Sequence, residues 1–332
     1  MDHKIPLPID PHLKDISASL KSSTAVIISA EPGTGKTTRV PDSLLPLTSK
    51  TILVIEPRRL AARLSAERIA QERGEKVGET IGYQMRFQKA LSSKTRIKFI
   101  TEGLFSRLAH SDPLLTDIGI VIIDEFHERH IQTDVALSIV RHLCKTSRPD
   151  LKLVVMSATL DLTRLKTFLD APVFDIKGKT YPVTIEHKGD IPLKQAVQSM
   201  LEDDRVRGDI LVFMTGLGEI LRAKKELASI KNADVLALSA EVSENDQKKV
   251  FKKSSQRKII LATNVAETSL TLPNVCGVID LGKAKIASVA PGAASYHSTS
   301  KEFRSPRASK ERGALAEPLK GSVIVFLIGL TF

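Results

Sequence analysis

The chain has no tryptophan, only two cysteines and just 4% aromatic residues among its 332 positions. Each shortage excludes something. Cys144 and Cys276 lie far apart with no CxxC spacing. That rules out a disulfide framework and a structural zinc site, and it fits a reducing cytoplasm. Without Trp, a platform of stacked aromatic rings is not expected. The opening residues, MDHKIPLPID, hold no long apolar stretch of the kind that marks a signal peptide. The run SVIVFLIGLTF (322–332) is apolar, but its 11 residues are too few to cross a bilayer as a helix. No membrane partner is expected.

What is present is ordinary globular material: 42% hydrophobic and 26% charged residues. The length suggests about two domains. The net charge of +11 fits a polyanionic partner, and on charge alone it fits a solvated basic surface equally well.

Short apolar runs alternate with longer amphipathic segments. Strands are expected at 24–29, 51–56, 97–101, 120–125 and 151–157, with helices at 60–73 and 133–145. The runs are continuous rather than alternating, as in parallel strands buried on both faces. A second series follows, with strands at 209–214, 233–239, 258–263 and 276–282 and helices at 217–230 and 245–251. Strands alternating with helices imply βαβ units. The Pro-, Gly- and charge-rich stretch 170–192 reads as the connection. The expected domains are therefore 1–170 and 181–291, with a linker at 171–180.

SAEPGTGKTT (29–38) follows the first strand and opens a helix. Backbone N–H groups of such a turn and of the helix start converge on anionic oxygens. The candidate phosphate-binding residues are Glu31, Pro32, Gly33, Thr34, Gly35, Lys36, Thr37 and Thr38. Gly33 and Gly35 let the backbone approach closely. Lys36 would reach the β- and γ-phosphates of ATP, and the Thr37 hydroxyl would bind Mg²⁺. The usual first glycine of this pattern is Ala30 here. VIIDEFHERH (121–130) places Asp124 and Glu125 at the carboxyl end of a buried strand, where ligands bind in such sheets. With Thr37, they are the candidate metal residues, Glu125 also serving to orient or deprotonate a water. His127 and His130 stand three apart, but no third metal ligand is evident.

Asp124-Glu125-Phe126-His127 reads as a DExH box, and the chain resembles a superfamily-2 helicase of the DEAH/DExH type, of the bacterial HrpB kind. The likeness rests on an ordered set: EPRRLAA (56–62), TEGLFSR (101–107), SAT (157–159), LVFMTGLGEI (211–220) and ATNVAETSLTLPNVCGVIDLG (262–282). It implies an α/β fold of two tandem RecA-like P-loop NTPase domains with parallel sheets. It further implies ATP hydrolysis coupled to movement along a single-stranded nucleic acid, RNA before DNA. The catalytic set it implies is Lys36, Glu125, His127, Ser157 and Thr159. Asp280 would lie near the nucleotide's ribose, and Glu267, Thr268 and Ser269 would sense the nucleotide. The strand would be held through its backbone by Arg58, Arg59, Thr101, Glu102, Gly103, Thr215, Gly216, Thr263 and Asn264.

One family element is absent. The arginine-finger string QRxGRxGR does not occur. Displacing the reading frame by one base recovers it. Lys310, Glu311, Arg312, Gly313, Ala314, Leu315, Ala316 and Glu317 can then yield QRAGRAGR. Gly292, Ala293 and Ala294 can yield Trp-Ser-Gly after Pro291. The sequence thus reads as carrying a gained or lost base near Pro291, with 292–332 an out-of-frame tail. On that reading the second domain is incomplete, with an unpaired sheet edge and an exposed core. Arginine fingers are worth about 10³–10⁵ in rate, or roughly 4–7 kcal/mol, so weak hydrolysis and no unwinding are expected. The rivals are a non-catalytic ATP- or RNA-binding fragment and a P-loop motor acting on something else.

Overall fold

The computed structural model describes residues 6–158, 162–178, 182–263, 272–289, 296–302, 316–317 and 323–328. Thr159, Asn264, Glu267, Thr268, Ser269, Pro291 and most of the displaced string lie outside those residues. The chain divides into two compact units, Met1–Lys179 and Thr180–Phe332.

The first unit contains strands β1 (Ala25–Ala30), β2 (Thr51–Glu56), β3 (Ile81–Met85), β4 (Gln88–Ala90), β5 (Ile97–Thr101), β6 (Ile118–Ile123), β7 (Lys152–Ser157) and β8 (Val173–Ile176). Its helices are α1 (Leu13–Ser22), α2 (Lys36–Ser43), α3 (Arg59–Glu72), α4 (Glu102–Ser111), α5 (Ile131–Lys145) and α6 (Leu162–Leu169). The strands form one sheet in the order β4-β3-β5-β2-β6-β7-β1-β8. Every pairing is parallel except that of β3 with β4. The apolar runs explain this arrangement. Along β1, Val26 and Ile28 enter one core with Ile16, Leu20 and Ile69, while Ile27 enters the other with Phe105, Leu137 and Val140. Helices on both faces leave these strands no solvated side. Each such aliphatic side chain contributes about 1.5–3 kcal/mol by burial.

The second unit contains β9 (Val183–Gly189), α7 (Leu193–Glu202), β10 (Asp209–Phe213), α8 (Leu217–Glu226), β11 (Ala233–Leu238), α9 (Glu244–Phe251) and β12 (Arg257–Ala262). These are followed by β13 (Leu272–Pro273), β14 (Val275–Asp280), β15 (Lys283–Val289), β16 (Tyr296–Glu302), β17 (Ala316–Glu317) and β18 (Val323–Ile328). Six strands make a parallel sheet in the order β11-β12-β10-β14-β18-β9. Ser243 caps α9 by accepting from the Asp246 N–H. Both units are thus α/β with parallel-dominated sheets.

Two expectations are corrected. The stretch 171–180 is not all linker, because Val173–Ile176 pairs with β1 as the last strand of the first sheet. Nor is the second sheet left with an open edge at β14. Val323–Ile328 lies parallel between β14 and β9, and Ile324, Val325 and Phe326 are buried. An apolar, β-branched run suffices to pair there, whatever its origin. Among the described residues, no helix is long and apolar enough to cross a membrane.

Candidate nucleotide site and nucleic-acid face

The site forms where β1, β7, β6 and β2 end side by side. The phosphate loop leaves β1 and turns into α2. Gly33 and Gly35 both have positive φ, 76° and 88°. At Gly35 a Cβ would also stand 2.5 Å from Leu7 Cδ1. The N-terminal segment lies across the back of the loop, with the Ile9 N–H donating to the Thr34 carbonyl at 3.2 Å. The loop braces itself: Thr34 Oγ1 donates to the Glu31 carbonyl at 2.7 Å and Thr38 Oγ1 to the Gly35 carbonyl at 3.3 Å. The Glu31 side chain points elsewhere, accepting the Gly178 N–H at 3.0 Å.

Lys36 begins α2 and is buried, and its Nζ lies 3.1 Å from Glu125 Oε1. Thr37 Oγ1 donates to Asp124 Oδ2 at 2.5 Å, and Asp124 Oδ1 accepts the Glu125 N–H at 2.8 Å. The strand expected over 120–125 stops at Ile123, and Glu125 takes left-handed φ of 52°. That turns its carboxylate toward Lys36 rather than along the strand. His127 Nε2 sits 3.3 Å from Glu125 Oε2, while His127 Nδ1 accepts the Ala158 N–H at 3.2 Å. The DEFH turn is thereby tied to the residue after β7. Ser157 ends β7, in register with Ser29 of β1.

The electrostatics are those of three carboxyls around one ammonium. Burial works against the charged Lys36, yet Glu125, Asp124 and Glu56 hold its pKa above the usual lysine value. Burial pushes the Glu125 carboxyl up to about 7. Lys36 pulls it down and Asp124 adds to the rise. Glu56, the last residue of β2, is fully buried and neither of its oxygens finds a hydrogen-bond donor. Burial, reinforced by Asp124 and Glu125, raises it well above the carboxylate range. Burial and the mutual repulsion of Glu56, Asp124 and Glu125 thus disfavour full ionisation of the cluster. The His127 pKa is lowered by burial and then by Lys36. Glu56 has no role in the sequence motifs taken alone; its signal is an acid closing an apolar strand one sheet position from Asp124.

The groups expected to grip a nucleic acid separate into two classes. Glu56 and Thr101 are register partners on β2 and β5, so the residues that follow them are neighbours. Arg59 is exposed and donates to the Arg86 carbonyl at 3.1 Å. Thr101 is the N-cap residue of α4, and Gly103 is exposed. Arg58 Nε, by contrast, lies 3.2 Å from Glu128 Oε1. Glu102 is buried, and its carboxylate takes Thr133 Oγ1 and His130 Nδ1, the latter at 3.1 Å, so its side chain is turned inward onto its own fold and only its backbone could meet a phosphate. One exposed ring stands on this side of the sheet. Phe87, 86% exposed with φ of 68°, lies in the β3–β4 turn under the Arg86 guanidinium at 4.8 Å.

In the second unit, the Thr215 N–H donates to Glu219 Oε2 at 2.9 Å, Gly216 is the N-cap of α8, and Thr263 is buried after β12. Asp280 is buried, and its Oδ1 accepts the Gly282 N–H at 2.9 Å.

Comparison with known proteins agrees with this geometry. Residues 11–168 match the DEAD/DEAH box helicase family, and residues 193–297 match the helicase conserved C-terminal domain. The ATP-dependent RNA helicase HrpB of Escherichia coli (strain K12) is 40% identical over 299 residues, covering 86% of this chain and 37% of that protein. The ATP-dependent RNA helicase HrpA of the same organism is 37% identical over 297 residues, covering 85% and 23%. The crystal structure of the Escherichia coli DEAH/RHA helicase HrpB superposes with a TM-score of 0.87 at 36% identity, over 97% of this chain and 42% of that one. The chain therefore spans well under half the length of these relatives.

Proposed function

The chain belongs to the DEAD/DEAH box helicases, and from that premise we propose that it binds ATP with Mg²⁺ and couples the nucleotide to a single strand of RNA. The observation that carries this is the convergence of Lys36 on Glu125 and of Thr37 on Asp124 at adjacent strand ends. Lys36 would hold the β- and γ-phosphates. Glu125 would orient or deprotonate the attacking water, and a carboxyl near 7 suits that task at neutral pH. Thr37 and Asp124 offer hard oxygen donors that fit Mg²⁺, which takes one or two carboxylates and keeps several waters. When bound, the ion would neutralise charge on the phosphates.

RNA is favoured because the matching relatives are named RNA helicases. Arg59, Thr101 and Gly103 of the first unit would hold the strand, with Thr215, Gly216, Thr263 and Asn264 from the second. The cysteine usage supports a cytoplasmic place. Apart from β8, which belongs to the first domain, we keep the domain limits read from the sequence and read 292–332 as out of frame. We infer weak hydrolysis and no unwinding, because no QRxGRxGR string is present. That same absence favours one second reading, a nucleotide- and RNA-binding fragment without turnover.

Calorimetry with Mg²⁺ and ATP, filter binding of single-stranded RNA and DNA across a salt series, and hydrolysis rates of this chain beside a frame-restored version test the proposal. Magnesium-dependent uptake and a steep salt slope are expected. Brisk RNA-stimulated hydrolysis by this chain would overturn the weak-turnover reading. Absence of nucleotide uptake would overturn the whole.

A further inference from the structure

Between the phosphate site and the RNA face runs a chain of charged contacts that begins at Arg58. Arg58, the N-cap residue of α3, lies 3.2 Å by its Nε from Glu128 Oε1. Glu128 Oε2 lies 3.5 Å from His130 Nε2. The other ring nitrogen, His130 Nδ1, lies 3.1 and 3.3 Å from the two oxygens of Glu102. Glu102 opens α4, immediately after Thr101, and Thr133 holds its carboxylate from the far side. His130 thus joins three segments: the end of β2, the end of β5 and the turn after β6.

That turn is the one that carries the chemistry. A single 3-10 turn, Phe126–Glu128, follows Asp124 and Glu125. Two non-glycine residues in the left-handed region bracket it, Glu125 at φ 52° and Arg129 at φ 53°. Such residues are held by their surroundings rather than by their own preference. At one end Lys36 and His127 hold Glu125. At the other, Arg129 is held by Asp134 at 3.1 Å and by the Phe126 ring. Glu128 and His130 are held by the chain of contacts just described and by their backbone.

We propose that Arg58, Glu128, His130 and Glu102 form a relay by which a strand phosphate at Arg58 resets the turn bearing Glu125 and His127, with His130 as the positioning residue at its joint. The inference rests on the helicase reading. A phosphate competes with Glu128 for the Arg58 guanidinium, since both are oxyanions suited to it. Glu128, once released, loads or unloads His130, whose second carboxylate partner sits beside Thr101 on the strand-binding side. The 3-10 turn then shifts with both its ends, and Glu125 moves relative to Lys36. The relay needs two arrangements that the two ligands favour differently, which makes it a coupling between sites.

The test measures coupling without hydrolysis, on the full chain. The affinity of a hydrolysis-resistant ATP analogue with Mg²⁺ is titrated with and without saturating single-stranded oligouridylate. RNA is expected to change that affinity by about 5- to 150-fold. His130→Ala should bring the ratio to within about twofold of one, while each ligand alone binds within about threefold of the parent. Glu128→Gln breaks the relay at its other joint and should do the same, so a folding failure of either variant leaves the other decisive. The double variant should lose no more coupling than either single one. Full coupling in a folded His130→Ala or Glu128→Gln variant, or additive losses in the double, would overturn the relay alone. A parent chain that binds both ligands without coupling would also overturn it. A parent chain that binds neither would take the helicase reading down with it.

Discussion

Lys36 and Glu125 are paired at 3.1 Å, with side chains only 6% and 1% exposed. The residue expected to grasp phosphate is therefore already engaged by the residue expected to activate water. A γ-phosphate arriving at Lys36 must compete with that carboxylate. Its arrival frees Glu125, and His127 is then the remaining close partner on that carboxylate, 3.3 Å away. On the proposed reading, binding and activation of the base would be linked through one ammonium.

Replacing the lysine tests the first half of that link. Lys36→Ala should weaken Mg²⁺–ATP binding by about 10- to 100-fold, the loss of a charge-assisted contact of about 1.5–3 kcal/mol. Fluorescent-nucleotide titration reads it. Unchanged affinity would mean that the phosphates sit elsewhere.

The second half falls on the carboxylate. Glu125→Gln keeps the shape and removes the proton acceptor. Nucleotide affinity should stay within about threefold, and single-turnover hydrolysis should fall by about 10²–10⁴ from whatever rate the parent supports. Parallel loss of binding would instead mark Glu125 as a ligand of the bound nucleotide.

Glu102 and Arg59 separate under salt. Arg59→Ala should weaken RNA binding for all sequences and reduce the salt slope by about 1. Glu102→Gln should leave that slope alone, because the carboxylate faces Thr133 and His130 rather than solvent. Filter binding between low and moderate salt distinguishes them.

Away from the site, Arg148 clasps Asp150 through Nε and Nη2, at 2.8 and 2.9 Å, and also donates to the carbonyls of Leu114, Leu115 and Ile118. Hydrogen bonding from Arg148 holds the Asp150 carboxyl well below its usual range. A depressed carboxyl stabilises the fold above the unfolded-chain value of 3.8 and loses that contribution as pH falls toward the folded value. Asp150 is half exposed, so Asp150→Asn should cost at most about 1 kcal/mol at pH 7. The gap between variant and parent in urea midpoint should stay flat down to about pH 5 and shrink below about pH 4. A gap undiminished at pH 2 would contradict the assignment.

Gly35 carries two constraints at once, a φ of 88° and contact with Leu7. Gly35→Ala should destabilise by about 1–2 kcal/mol from the backbone conformation alone, with the Leu7 overlap adding to it. Adding Leu7→Ala should recover the overlap part, so that the two losses are less than additive in a denaturation cycle.

The central strands were readable because their side chains have no choice of face. Thr51–Glu56 and Ile97–Thr101 have the bounds that their apolar runs predict. Two edges were not readable. β8 ends the first sheet and β9 the second, and edge strands carry the polar residues that make a stretch resemble a linker. Lys36, Thr37, Asp124 and Glu125 were legible because strand ends and a helix start place them by backbone alone. The inward turn of the Glu102 side chain was not legible, and Glu128 and His130 were unassigned, because a side chain's partner 28 residues away leaves no mark in local spacing.

The strand order of the two sheets sets different timetables for their assembly. The first sheet has all its members once residue 176 has been made, whereas the second places Val323–Ile328 between β14 and β9. A nascent chain emerging from the ribosome can thus close the first unit early, while β9 waits through most of the second unit's synthesis for its neighbour. During that interval β9 and β14 present bare hydrogen-bonding edges, the condition in which chaperones are recruited and stray pairing with other chains begins.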